Sequence, residues 1–211
     1  MPNISDFTFN ANLRREITAN VEAFRDDRET QESLRAAAVA ITIINHDGEG
    51  AVIVTRRTPR LKDHGGQWAL PGGRVDGNGS AVEAALRELR EEVNLELGAD
   101  AVIGTLDDYQ TRSGFVITPV VLWAEQHDYD LVPDPVEVES IHSFTFAELA
   151  RQDSPRLESI PESDRQVLSM NFFDTWIYAP TGAMLYQFRE VAFHQRHTPV
   201  SHYDGPVFTW K

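Results

Sequence analysis

Cysteine is absent from the 211 residues. That excludes disulfides, thiolate metal sites and a cysteine nucleophile, and makes cytoplasmic residence the expectation. Long apolar runs are missing too: nothing approaches the roughly 18 uninterrupted apolar residues of a membrane span, so no membrane partner is expected. Residues 1–12 have neither a basic start nor an apolar core and do not read as a secretory signal. Basic charge is scarce. The 33 Asp and Glu outnumber the 19 Lys and Arg, for a formal charge of −14, the reverse of a nucleic-acid binder, so none is expected as a partner. An anionic small molecule needs cations gathered locally. Arg56, Arg57, Arg60, Lys62 and Arg74 are such a gathering, although taken alone they read as ordinary surface charge.

No internal repeat or low-complexity tract interrupts the chain. Leu13, Ile17, Val21 and Phe24 fall at helical spacing; this helix and the charged stretch after it read as an N-terminal extension, residues 1–36, before a main domain of residues 37–211. Residues 37–45 and 51–55 are β-rich and joined by the turn His46-Asp47-Gly48-Glu49-Gly50, a hairpin. A polar loop leads to a short strand over residues 67–70 and a Pro71-Gly72-Gly73 turn. Further strands are expected at 101–110, 115–124 and 136–144, a short helix at 145–151, and a helix starting at Pro180-Thr181-Gly182. The tail from Thr198 reads as a strand or a docked arm. Several strands with one central helix and helices at the ends make an α+β or α/β/α layered domain.

The central helix is the best marked. Ser80 followed by Glu83 is a capping box. Val82, Ala85, Leu86, Leu89 and Val93 form its apolar stripe, and Asn94 suits a left-handed C-terminal position. Glu88, Glu91 and Glu92 lie on the other side and are expected to be displayed outward. Like charges at i,i+4 cost an isolated helix roughly 0.2–0.5 kcal/mol, so their gathering beside a glycine pair points to a cation, against the commoner reading of a solvated acidic face.

Gly72-Gly73 with Arg87-Glu88-Leu89-Arg90-Glu91-Glu92-Val93-Asn94-Leu95 resembles the signature of Nudix hydrolases, and Gly73 to Arg87 has the family spacing. Two positions differ: Gly79 stands at the first Glu position, with Asp76 as its candidate substitute, and Asn94 replaces the final Gly. The resemblance implies a Nudix-type α/β/α sandwich with a mixed sheet, and hydrolysis of a diphosphate linkage. It also implies Mg²⁺ or Mn²⁺ held by Glu88, Glu91, Glu92 and the Gly72 carbonyl, with Glu88, Glu91 and Arg87 as the catalytic group. Hard oxygen donors suit such ions. A bound ion screens phosphate charge and acidifies water. Arg87 can orient Glu91 one turn on. The base is one of these glutamates or an acid among Asp107, Asp108, Asp134 and Glu137.

A second block, Val54-Thr55-Arg56-Arg57 followed by Leu61, His64, Gly66 and Gln67, is similar to the segment preceding the box in coenzyme A diphosphatases. It implies a coenzyme A-like substrate cut to 3′,5′-ADP and 4′-phosphopantetheine. Arg56, Arg57, His64 and Gln67 are then the substrate-binding candidates. Arg56, Arg57 and Lys62 suit phosphates; Arg57 reads equally as a surface ion pair, and His64 and Gln67 as loop-shaping residues. Trp68 and Trp176 could stack on adenine but read more readily as core. The alternatives are a broader hydrolase of ADP-ribose or NADH type, and a Nudix scaffold that senses a nucleotide, which Gly79 favours. A homodimer is a further expectation without a residue-level basis.

Overall fold

The computed structural model describes residues 4–24, 34–126 and 129–210; the charged stretch 25–33 assigned above to the N-terminal extension lies outside them. Helix α1 (Ala11–Ala23) begins at Asn10, whose side chain accepts from the Asn12 and Leu13 amides. It packs into the body of the fold: Leu13, Ile17 and Val21 are buried in the main apolar cluster, and α1 lies against the last helix.

Strands β1 (Arg35–His46) and β2 (Glu49–Arg57) form the expected hairpin, tightened to a two-residue turn with Asp47 and Gly48 both at positive φ. Those two conformations match the twist of the flanking strands. Strand β3 (Trp68–Ala69) pairs with β2. The glycine pair expected to be a turn is instead a strand, β4 (Gly72–Arg74), antiparallel to β1 with Ala38 opposite Gly73. Its backbone runs so close to β1 that a Cβ on Gly72 would stand 2.7 Å from Val39 Cγ1, an approach only glycine permits.

Helix α2 (Ala81–Val93) has its capping box formed and ends on Asn94 at φ 58, ψ 31, as expected. Strands β5 (Val102–Thr105) and β6 (Tyr109–Gln110) split the single strand expected there, and both pair with β7 (Phe115–Trp123). β7 runs parallel to β1, and β8 (Val138–Thr145) pairs with β2, completing a mixed eight-stranded sheet. Helix α3 (Phe146–Leu149) follows. A second, three-stranded sheet of β9 (Arg156–Ile160), β10 (Ser163–Phe172) and β11 (Thr175–Tyr178) was not foreseen. Its signal was the period-2 run Leu168, Met170, Phe172, all in the main cluster. Helix α4 (Thr181–His194) follows, and in the tail, expected as a strand or a docked arm, Val207–Trp210 form a short 3-10 helix.

Alternation sorts the large sheet's two faces. Ala38, Ala40, Ala51 and Ile53 pack with Ala84, Ala85 and Leu89 of α2, while Ile41, Ile43, Val52 and Val54 pack with α1, α3, α4 and the small sheet. The result is an α+β sandwich with the large mixed sheet between helical layers. No described helix is long and apolar enough to cross a membrane.

Candidate functional site

The site is assembled where α2 crosses β4. Ser80 fixes the start of α2, its amide donating to Glu83 Oε2 at 2.7 Å and its hydroxyl accepting from the Glu83 amide at 3.2 Å. Eight residues on from Ser80, Glu88 rests against the glycine pair: a Cβ on Gly73 would stand 2.6 Å from Glu88 Cδ. Arg87 donates to Glu88 Oε1 at 2.7 Å and to the Arg74 carbonyl at 2.8 Å. Its other terminal nitrogen lies 2.9 Å from Asp76 Oδ2. Asp76 thus meets the arginine, although Gly79 offers no side chain to do so. The pairing expected between Arg87 and Glu91 is looser, at 3.9 Å.

Glu92 departs from expectation. It is 3 % exposed, not displayed outward, because α2 presents it to the sheet beside Arg57 while the segment through Asp134, whose amide donates to the Glu92 carbonyl at 2.9 Å, covers it. Glu92 Oε1 is 3.9 Å from Arg57 Nη1. Both Glu92 Oε1 and Arg57 Nε are buried without a hydrogen-bond partner. Burial pushes the Glu92 carboxyl up to about 8, with the Glu88 and Glu137 charges adding to the rise and Arg57 and a backbone hydrogen bond from Gly72 opposing it.

The three carboxylates do not close into a cage. Glu88 is engaged by Arg87, Glu91 is half exposed near Arg87 and Arg90, and Glu92 faces Arg57. Among the described residues no three His, Cys, Asp or Glu side chains are grouped to hold an ion. An arginine stands beside each of the three carboxylates. The donor set nevertheless fits a hard divalent cation on one specific observation. A buried carboxylate oxygen without a hydrogen bond, its proton affinity raised by burial, is what such a cation would satisfy. Of the proposed bases, Glu137 lies 3.9 Å from Arg57 Nη2, and the Asp134 carboxylate accepts from the Val136 amide at 3.0 Å. Asp108 is taken up by the Thr118 hydroxyl at 2.6 Å, and Asp107 is held by Gln187 at 2.7 Å.

On the other side of Gly72–Gly73 opens a cavity of about 870 Å³ between the two sheets. Arg56, Arg57, His64 and Gln67 all border it, as do Lys62 and Arg74, whereas Arg60 does not. Glu88, Glu91, Glu92 and Arg87 do not border it; Glu88 lies against Gly73, and Glu92 is 3.9 Å from the cavity residue Arg57. Arg56 lies 3.2 Å from Glu139. His64 sits at φ +58 in the loop, and Gln67 Nε2 donates to the Phe208 carbonyl at 3.2 Å. Trp68 and Trp176 both border the cavity, and Trp68 also packs against the main apolar cluster, 5.0 Å from the Phe172 ring. Sequence reasoning missed much of its wall, including Arg112, Tyr178, Asp204, Phe208 and Trp210. Of these, only Phe208 and Trp210 carried a sequence signal, as aromatic residues of the tail.

The NUDIX domain family matches residues 34–167. Nudix hydrolase NudL of Klebsiella pneumoniae subsp. pneumoniae is 43 % identical over 88 residues, 41 % of this chain and 45 % of that protein. NudL of Escherichia coli K12 is 44 % identical over 88 residues with the same coverage, and that of Yersinia enterocolitica 41 % over 101 residues, 47 % of each chain. The match thus spans about half the length of these relatives. Among solved structures, a MutT/nudix family protein from Enterococcus faecalis superposes with a TM-score of 0.48 at 16 % identity, covering 81 % of this chain and 64 % of its own.

Proposed function

The chain belongs to the Nudix family, and from that premise we propose that it is a metal-dependent hydrolase cleaving the diphosphate linkage of coenzyme A or its acyl derivatives. The products are 3′,5′-ADP and (acyl-)4′-phosphopantetheine. The observation that carries the hydrolytic part is Glu92: a buried carboxylate oxygen with no hydrogen bond, one strand away from a cation-lined cavity. The coenzyme A part is supported by the Leu61 to Gln67 block, whose residues His64 and Gln67 border that cavity.

Glu92, with Glu88, Glu91 and the Gly72 carbonyl, would hold Mg²⁺ or Mn²⁺. A divalent ion there supplies charge screening at phosphorus and a more acidic water. The chain's own side chains do the remainder. Arg57 and Arg56 on β2, with Lys62, offer cations to the phosphate oxygens in a protein whose overall field repels anions. Arg87 orients Glu88 through its 2.7 Å hydrogen bond and is itself steadied by Asp76 and the Arg74 carbonyl. A glutamate of α2, or Glu137, accepts the proton of the attacking water. The cysteine-free, acidic composition supports residence in the cytoplasm.

The test is product analysis with Mg²⁺ or Mn²⁺ against coenzyme A, an acyl-coenzyme A, ADP-ribose and NADH. Coenzyme A yields 3′,5′-ADP, and both chelation and Glu92→Gln abolish the reaction. Turnover that persists in chelator refutes the mechanism. Cleavage of ADP-ribose alone transfers the substrate to the broader class, and metal-dependent binding without turnover makes the chain a sensor.

A further inference from the structure

The last described stretch of chain is fastened across the mouth of the cavity. Beyond α4 it returns to β10, where the Asp204 amide donates to the Gln166 carbonyl at 2.9 Å and the Leu168 amide donates to the Asp204 carbonyl at 3.0 Å. Asp204 is 4 % exposed. Its Oδ2 accepts from Arg112 Nε at 3.0 Å, from Arg112 Nη2 at 2.6 Å and from the Ser163 hydroxyl at 2.6 Å. Arg165 stands 3.9 Å from its other oxygen. A buried carboxylate bound by charged donors is a strong, directional tether. The Tyr109 hydroxyl donates to the Tyr203 carbonyl at 2.6 Å, and Gln67 reaches Phe208 from the opposite rim. Gly205 fits where a Cβ would collide with the Ala179 carbonyl and the Thr209 hydroxyl. The arm is therefore held at four places before it presents its side chains.

What it presents is aromatic. Phe208 is 58 % exposed and borders the cavity, edge-on to Tyr178 at 5.5 Å. Trp210 borders it too, with the Arg112 guanidinium 4.4 Å from its ring centroid and its indole N–H donating to the Gly205 carbonyl at 2.8 Å. Core packing does not require Phe208, since five other phenylalanines fill the interior with almost no exposure. An open ring facing a cavity lined on its other side by Arg56, Arg57 and Lys62 is the arrangement that accepts a planar base while cations take its phosphates.

We propose that the arm of residues 203–210 is the specificity element of the site: Phe208 and Trp210 receive the planar base of a nucleoside diphosphate ligand, and Asp204 is the positioning residue that holds them in place. This rests on the proposed function for the identity of the site but not for its readout, which is binding. The test uses the full chain and isothermal calorimetry with ADP and with inorganic diphosphate, Ca²⁺ serving as the divalent ion. Phe208→Ala weakens ADP about tenfold, the equivalent of one lost base–aromatic stack, and leaves inorganic diphosphate unchanged. Trp210→Ala acts in the same sense. Asp204→Asn and Gly205→Ala also loosen ADP selectively, and retained diphosphate affinity shows that the fold survives. Under turnover the loss appears in KM while kcat stays within about twofold. Equal affinity of wild type and Phe208→Ala for ADP overturns the inference, as does a wild type that fails to prefer ADP over inorganic diphosphate. Selective ADP binding lost in the variants, in a protein that hydrolyses nothing, upholds the arm and overturns the hydrolase reading instead.

Discussion

Glutamine at position 92 keeps the shape of a side chain that is 3 % exposed and removes its charge. In the metal-free wild type, burial lifts the Glu92 carboxyl from 4.5 to about 8. Between those values the native state holds a proton that the unfolded chain has released. The resulting stabilisation is full below about pH 4.5, falls away as pH rises, and is gone once the folded-state value is passed. From pH 6.5 to pH 8 this one group removes about 2 kcal/mol, which for a chain of this size lowers Tm by about 4–8 °C. His142 and His194, whose pKa values burial lowers, act in the opposite sense, but they are shared by both proteins and cancel in the difference. The assay is thermal unfolding of wild type and Glu92→Gln in chelator at the two pH values. The wild type loses Tm relative to the variant on going to pH 8. Adding Mg²⁺ or Mn²⁺ at pH 8 then raises the wild type and leaves the variant where it was, since a cation favours the ionised carboxylate. A difference between the two proteins that does not change with pH would show that Glu92 is already ionised and satisfied, and would remove the main structural support for an ion beside it.

Gly73→Ala drives a methyl group into the Glu88 carboxylate, 2.6 Å from its Cδ; steady-state kinetics should show kcat down by at least about tenfold with little change in Tm, because the side chain can swing aside. Ser80→Ala breaks the capping box of α2 and costs about 1 kcal/mol, read as a Tm lower by about 2–4 °C with kcat retained. Asp76→Asn leaves Arg87 bonded to Glu88 and to the Arg74 carbonyl but takes away its 2.9 Å partner. Since Asp76 is largely exposed, Tm stays put, and a fall in kcat measured beside it would identify Asp76 as the carboxylate that serves in place of the residue missing at Gly79.

What the chain's local order decided was everything encoded within a turn or two. Ser80 and Glu83 start α2 and Asn94 ends it, Asp47-Gly48 turns the first hairpin, and Pro180 precedes α4. Caps, periodicity and turns act over about four residues, so they can be read without knowing what lies across the fold. The family block was legible for the same reason: its residues are close in sequence. Tertiary structure alone decided the rest. Glycines 72 and 73 form a strand because β1 lies alongside them, and Glu92 is buried because α2 carries it to Arg57 on β2. The cavity wall draws Trp176, Asp204, Phe208 and Trp210 from more than a hundred residues beyond the loop they face. Which polar side chains are buried, and what charges they then face, is set by long-range pairing that the apolar periodicity does not encode.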